Sequence, residues 1–145
     1  MSDNQTQAPP PAQPPPTTPS TPAPGSPESQ ARTWNMLCHL SALAGFIIPF
    51  GNILGPLLVW QIKKNEIPSV NVHGKAALNF QITVVIALFA GAVVAFLLSF
   101  FCVGFLLIPV VMLIGLAGLI FAIIAGIKAN NGEDYKYPFS LELVK

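Results

Sequence analysis

The sequence predicts an all-α integral membrane protein with four hydrophobic helical segments and a disordered Pro-rich N-terminal tail. Two long stretches without Lys, Arg, Asp or Glu support this prediction: residues 33–62 and 76–127, which are 30 and 52 residues long. A helix needs about 20 mostly apolar residues to cross the hydrocarbon core of a bilayer. Composition agrees, because only 9% of the residues are charged, whereas a soluble domain has roughly 25%.

The N-terminal segment, residues 1–30, differs from everything that follows it. It holds ten of the 15 prolines and contains no Leu, Ile, Val or Phe. Such a segment cannot bury enough apolar surface to offset the entropy lost on ordering. We therefore predict a disordered tail over 1–30 and a helical membrane domain over 31–145. The tail has PxxP spacings that could bind an aromatic groove of a partner, although a solvated spacer is the simpler interpretation.

The first apolar stretch is interrupted in its middle by turn-forming residues, namely Pro49, Gly51, Asn52, Gly55 and Pro56. Proline lacks the backbone donor that a helix interior uses, and Gly and Asn tolerate turn conformations. The pattern predicts a helix over 30–48 and a short helix over 53–64.

Two tryptophans, Trp34 and Trp60, flank this first stretch, as interfacial tryptophans do. A hairpin would place both at one membrane interface, and we favour it. The short helix over 53–64 is brief for a full span, so it could be re-entrant or tilted. One kinked span over 33–62 is the remaining alternative.

The second apolar stretch is long enough for two spans, predicted over 76–101 and 105–127 with a turn at 101–104. A polar loop over 63–75 precedes it and carries three lysines. The C-terminal tail also carries three, whereas the turn at 101–104 has none. Because cytoplasmic loops are enriched in Lys and Arg, we predict a multi-pass protein of the bacterial inner membrane with cytoplasmic N- and C-termini.

No catalytic or metal-binding motif is visible, so the sequence predicts neither an enzyme nor a cofactor or metal site. A net charge of +1 offers no basic patch for nucleic acid. Cys38 and Cys102 lie in apolar stretches, where single cysteines are usually small core residues.

A few polar residues within the apolar region are candidate functional positions: His39, Asn52, Asn79, Gln81 and Thr83. An ionisable group such as His39 usually faces the interior of a helical bundle. We expect it to form a structural hydrogen bond with Ser41, Asn35 or another helix, with a ligand or proton role as the alternative. Asn79 and Thr83 share a helix face and are expected to connect helices or to line a polar seam.

Two stripes of small residues predict close helix contacts. The first contains Ala87, Gly91 and Ala95, and the second contains Gly118, Ala122 and Gly126. Such spacing lets backbones approach closely in lipid. The stripes are expected to face each other or a second copy of the chain.

Four blocks of sequence carry a family resemblance: WNMLCHLSAL from Trp34, IIPFGNILGPLLVWQIKK, HGKAALNFQIT and the closing YPFSLEL. Together they resemble a widespread bacterial family of small membrane proteins of unknown function. That family is described as similar to Tic-twenty, a protein-import component of the chloroplast inner envelope. The resemblance covers residues 31–145 and implies a helical membrane fold of about four segments.

The leading functional hypothesis is a structural or interaction component of a membrane complex. The alternative, which the resemblance raises, is a channel-like or protein-translocation component acting as an oligomer. A membrane-bound enzyme is the third hypothesis. The expected partners are the lipid bilayer and either further copies of the chain or another membrane protein.

Overall fold

The computed structural model describes residues 22–101 and 103–145. It contains four α-helices and two short 3₁₀ helices, in the order α1 (Pro27–Leu40), 3₁₀ (Ser41–Phe46), α2 (Gly51–Lys63), α3 (Pro68–Ser99), 3₁₀ (Gly104–Leu107) and α4 (Ile108–Asn130). The described residues form no strand, and the all-helical prediction is confirmed. The disordered tail predicted over 1–30 extends too far, because residues 27–30 form the first turn of α1. Residues 1–21 of that tail and the core position expected for Cys102 lie outside the described residues.

Helix α1 begins earlier and ends earlier than the sequence predicted. Its N-cap is Ser26, whose side chain accepts a hydrogen bond from the Ser29 amide, and Pro27 occupies the first turn, where a missing N–H costs nothing. The predicted helix over 30–48 is wrong at its C-terminal end, because the α-helix stops at Leu40 and a tighter 3₁₀ segment follows.

The 3₁₀ segment lies in backbone contact with α2. A Cβ added at Gly55 would lie 2.2 Å from the carbonyl oxygen of Ser41, and one added at Gly51 would lie 2.4 Å from that of Ala44. Only glycine allows this approach, so the two arms of a helical hairpin pack backbone against backbone at these two glycines. The structure therefore contains a hairpin and not one kinked span.

The turn of this hairpin is short and apolar. Its last residue, Phe50, adopts a left-handed backbone with φ 61° and N-caps α2. At the other end of the hairpin, Lys63 lies over the ring of Trp34, with its Nζ 5.1 Å from the ring centroid, and Lys64 lies over Trp60. Both tryptophans therefore lie at one end, as a hairpin requires.

Four membrane spans are not supported. Helix α2 has 13 residues, or about 20 Å at 1.5 Å per residue, and the hydrocarbon core is about 30 Å thick. Two helical segments are long and apolar enough to cross a membrane, Pro68–Ser99 and Gly104–Asn130. The short helix predicted over 53–64 is present as α2, but its length does not suffice for a span.

Helix α3 is longer than predicted, and the predicted polar loop over 63–75 is mostly helical. Pro68 opens α3 in its first turn, where its fixed φ suits a helix. The first turns then bury Val70, His73 and Ala77. Three lysines suggested a loop here, but Lys63 is the last residue of α2 and Lys75 lies within α3, so only Lys64 lies in the short turn between the two helices.

The molecule has two regions, which we name for the rest of the text. The headpiece comprises the α1–α2 hairpin, residues 64–83, residues 122–130 of α4 and the tail 131–145. The apolar arm comprises residues 84–121, with the remainder of α3 and α4. Among the described residues, the largest fully buried side chains all lie in the headpiece: His39, Val70, Pro56 and Cys38. The arm instead exposes large apolar side chains on most of its surface.

Candidate functional site

Three buried side chains form a hydrogen-bonded chain through the centre of the headpiece, and the carboxylate of Asp134 lies at its outer end. The Tyr137 hydroxyl lies 2.8 Å from His39 Nδ1, and His39 Nε2 lies 3.1 Å from His73 Nδ1. His73 Nε2 lies 3.2 Å from a carboxylate oxygen of Asp134. The first three residues are buried, whereas the Asp134 side chain is 85% exposed. The chain therefore runs from the core to the surface.

The carboxylate at the outer end favours one direction for these hydrogen bonds. A carboxylate carries no proton, so we assign the proton of the neutral His73 ring to Nε2, which faces Asp134 at 3.2 Å, and this leaves Nδ1 to accept. His39 then donates from Nε2 to His73 and accepts at Nδ1. The Tyr137 hydroxyl completes the series by donating to His39. Each buried polar group is satisfied in this arrangement, with both imidazoles neutral and carrying their protons on Nε2.

Burial keeps the inner groups of this chain uncharged. It lowers the pKa of His39 to about 3, with a smaller contribution from the neighbouring His73. Burial also raises the pKa of the Tyr137 hydroxyl above its usual range, and the neighbouring Tyr135 and Cys38 raise it further by smaller amounts. The Tyr137 ring stacks on Phe80 with centroids 3.9 Å apart. The three buried groups are thus uncharged and well packed, and they connect the C-terminal tail to α1 and α3. We call these three residues together with Asp134 the clasp.

The clasp agrees in part with what the sequence predicted for its members. His39 is a structural hydrogen-bonding residue and bonds another helix through His73, which was one of the expected alternatives, but it bonds neither Ser41 nor Asn35. His73 itself was placed in the loop predicted over 63–75. No local pattern could reveal the contact between His39 and Tyr137, because 98 residues separate them. Asn35 instead accepts a hydrogen bond from Ser69.

Asn79 and Thr83 hold the end of the tail. The Asn79 side-chain oxygen accepts hydrogen bonds from the amides of Leu143 and Val144, and its nitrogen donates to the Val144 carbonyl. The Thr83 hydroxyl accepts from the Leu141 amide and donates to the Asn79 carbonyl. Their shared helix face therefore binds an extended segment of the same chain, where the sequence suggested a contact between helices.

Asn52 and Gln81 meet between the hairpin and α3. Asn52 Nδ2 donates to Gln81 Oε1 over 3.4 Å. Both residues lie at the wall of an apolar groove of about 520 Å³, which is formed by the hairpin tip, α3 and α4. Asn79, another member of the predicted polar set, lines a separate cavity of about 510 Å³ between α3 and the C-terminal tail.

The predicted packing glycines lie at contacts between helices. A Cβ at Gly118 of α4 would lie 3.1 Å from a methyl group of Val84 in α3. One at Gly91 of α3 would lie 3.0 Å from a methyl group of Val111 in α4. Each glycine thus faces a valine of the other helix, and the two small-residue stripes do not face each other directly.

Among residues 22–101 and 103–145, no three His, Cys, Asp or Glu side chains are grouped closely enough to hold a metal ion. His39 and His73 direct their nitrogens at each other and at Tyr137 and Asp134. Cys38 is fully buried beside this clasp. The contacts of these side chains are therefore those of a folded core.

Comparison with known proteins identifies the family of the chain. Residues 30–144 match the family model MamF_MmsF, described as the magnetosome magnetite crystal formation protein family. The chain belongs to this family. No curated protein and no solved structure matches it.

This membership revises the resemblance drawn from the sequence blocks. A small bacterial membrane-protein family is supported over almost the same range, residues 30–144. The description as similar to the chloroplast import component is not supported by this match. The channel-like hypothesis loses the analogy on which it rested.

Proposed function

We propose that this protein is a multi-pass integral membrane protein that acts as a non-enzymatic, structural or interaction component in magnetite crystal formation. The observation that carries the proposal is the family match over residues 30–144, which covers both the headpiece and the apolar arm. The architecture supports it, because two spanning helices would anchor a packed headpiece at one face of a membrane.

The dimensions of α3 support a specific depth of insertion. Eighteen residues separate Gln81 from Ser99, or about 27 Å of helix, close to the thickness of a hydrocarbon core. The arm would thus fill the core, and Gln81 would lie at its headpiece side. The hairpin tip, which contacts α3 near Gln81, would enter the adjacent leaflet without crossing it. Such a re-entrant hairpin agrees with the short length of α2.

Charge supports one orientation of the protein. All seven Lys and Arg lie in the headpiece, at positions 32, 63, 64, 75, 128, 136 and 145. The turn at the far end of the arm carries none. By the positive-inside rule, the headpiece and both termini face the cytoplasm.

The hydrogen bonds favour a structural role over a channel. The channel hypothesis drew on four polar residues, and each of them forms a hydrogen bond within the chain: His39, Asn52, Asn79 and Gln81. In a transport path, polar groups face water or the transported solute. Their internal partners instead favour a headpiece built to hold one shape and present one surface.

The magnetite role is tested by deleting the gene in a magnetite-forming host and imaging the crystals by electron microscopy. We expect crystals of altered size or number, with restoration by the full-length protein. The matched control is complementation by Gly115→Ala, which is expected to fold because an added Cβ meets no atom closer than 3.8 Å. Crystals unchanged by the deletion would refute a role in crystal formation.

Membrane topology is tested separately by cysteine labelling in a background without Cys38 and Cys102. Ser29→Cys and Ser69→Cys should react with an impermeant reagent only from the cytoplasmic side. Val103→Cys, in the far turn of the arm, should react only from the opposite side. Labelling of Ser29→Cys and Val103→Cys from the same side would refute the proposed arrangement.

A further inference from the structure

The groove beside Asn52 and Gln81 is lined by a largely buried polar side chain that has only one hydrogen-bond partner. Gln81 is 6% exposed, and its side-chain oxygen accepts from Asn52. Among the described residues, none accepts a hydrogen bond from its side-chain nitrogen. That nitrogen belongs to a side chain that lines the groove. A side-chain N–H without an acceptor costs free energy where water is excluded. We therefore expect the groove to bind a molecule that carries a hydrogen-bond acceptor.

The remaining walls of the groove are apolar and fit a hydrocarbon chain. Its walls are formed by apolar side chains, including Phe46 at the hairpin tip, Leu88 of α3 and Leu116 of α4. Gly115 and Gly118 leave its floor open along α4. The polar pair lies at the headpiece end of the groove and the apolar walls extend along the arm. The occupant therefore needs an acceptor at one end and an apolar body.

The position along α3 specifies the acceptor. Lys75 lies six residues before Gln81, or about 9 Å along the helix. Each headgroup layer of a bilayer is roughly 5–8 Å thick. If Lys75 lies at the level of the phosphates, Gln81 lies at the level where ester carbonyls join the acyl chains. An ester carbonyl is a hydrogen-bond acceptor attached directly to a hydrocarbon chain.

We infer that this groove is a lipid site, in which one acyl chain of a diacyl phospholipid lies along α3 and α4 and its ester carbonyl accepts a hydrogen bond from Gln81. The inference rests on the membrane insertion proposed above and does not depend on a role in magnetite formation. The bound lipid fills the space between the hairpin tip and the arm. It thereby connects the re-entrant hairpin to the spanning helices.

The test measures lipid retained by the full-length protein after purification in a mild detergent. The protein is exchanged with dioleoylphosphatidylcholine or with its diether analogue, which has the same chains and headgroup but no ester carbonyl. Native mass spectrometry counts bound lipid. We expect one retained diester lipid per chain and about fivefold weaker retention of the diether, the factor that one hydrogen bond supplies.

Two variants locate the site. Gly115→Leu should fill the groove, because its nearest neighbour is the Leu88 side chain at 3.8 Å, and should abolish retention. Gln81→Leu should reduce diester retention to the diether level. The matched controls are Ile120→Phe, which adds bulk to an exposed face of α4, and Gln61→Leu, which makes the same polar-to-apolar change in the headpiece. Circular dichroism and size-exclusion chromatography verify that each variant is folded.

Several outcomes would overturn the lipid site. Equal retention by the wild type and Gly115→Leu would show that the bound lipid lies elsewhere. Equal retention of diester and diether would remove Gln81 from the site. A dimer that Gly115→Leu disrupts, without bound lipid, would assign the groove to a second copy of the chain. Extraction of the protein from membranes by alkaline carbonate would instead refute membrane insertion itself, so the two failures are distinguishable.

Discussion

The headpiece and the apolar arm are both built from helices but are stabilised differently. The headpiece buries His39, His73 and Asn79 and gives each of them hydrogen-bond partners. The arm holds its helices by small-residue contacts such as Gly118 against Val84, and exposes its large side chains. In the headpiece a polar group specifies which elements meet. In the arm, side-chain shape alone sets the contact, because lipid solvates whatever the helices leave uncovered.

The largest difference between the regions should follow from His39→Leu. The substitution leaves the Tyr137 hydroxyl and the His73 Nδ1 atom without partners in a buried site. An unsatisfied buried group costs about 1–3 kcal/mol, so we expect a loss of about 2–6 kcal/mol in the free energy of unfolding, measured by denaturation in detergent. Phe89→Leu, on the exposed surface of the arm, should change it by less than about 0.5 kcal/mol.

A double-mutant cycle tests whether the clasp acts as a unit. Tyr137→Phe alone should cost about 1 kcal/mol, the typical net value of one hydrogen bond. In the His39→Leu background the same change should cost nothing, because it removes the orphaned hydroxyl. Additive costs would show that Tyr137 and His39 are not coupled.

Acid should weaken the headpiece before it affects the arm. The pKa of His39 is about 3 in the folded protein, against 6.5 when the residue is solvated. Between these values the unfolded state binds a proton that the folded state excludes, so stability falls as the pH falls below 6.5. The maximum slope is about 1.4 kcal/mol per pH unit, and the loss integrated between pH 6.5 and 4.5 is about 2 kcal/mol. Unfolding curves across this range should show the slope, and it should flatten in His39→Gln.

Gly55→Ala tests the backbone contact within the hairpin. The new Cβ would lie 2.2 Å from the Ser41 carbonyl oxygen, so the 3₁₀ segment or α2 must shift. Overpacking of this kind costs about 1–3 kcal/mol, to be measured as a lower melting temperature. Gly115→Ala in the arm is the control and should be neutral, since nothing there is closer than 3.8 Å. Equal melting temperatures for the two variants would show that the hairpin is loosely packed.

The smallest effect on global stability is expected from Asn79→Ala, which releases the end of the tail. The amides of Leu143 and Val144 lose their acceptor on Asn79. Their hydrogen exchange should accelerate at least tenfold, while the melting temperature changes by only a few degrees. Thr83→Val should accelerate exchange at Leu141 alone. If exchange at Leu143 and Val144 is unchanged in Asn79→Ala, the tail is held by other contacts.

The sequence predicts the arm better than the headpiece, and physical reasons explain this. Membrane-spanning helices are predicted from the composition of contiguous residues, so both long helices were predicted. The turn of the hairpin near Pro49 was predicted from the cluster of turn-forming residues there. The clasp joins His39 to Tyr137 across most of the chain, and its formation depends on how the elements pack. Pro68 and the nearby lysines were interpreted as a loop. Proline also suits the first turn of a helix, and lysines are also found at helix ends and on solvated helix faces. The position expected for His39, facing the bundle interior, did follow from the cost of an ionisable group in an apolar helix.

Two phenylalanines adopt left-handed backbone conformations, Phe50 with φ 61° and Phe139 with φ 59°. For a bulky residue this conformation costs of order 1 kcal/mol or more, and glycine would adopt it freely. Both rings project outward, 71% and 94% exposed, so contacts within the protein do not offset the cost. Each lies two residues before a position bonded to α3, Asn52 to Gln81 and Leu141 to Thr83. Both phenylalanines are thus held two residues from contacts with neighbouring positions of α3, near the edge proposed for the hydrocarbon layer. There the two exposed rings would contact the bilayer, and they would thereby fix the depth of the headpiece in the membrane and limit its tilt.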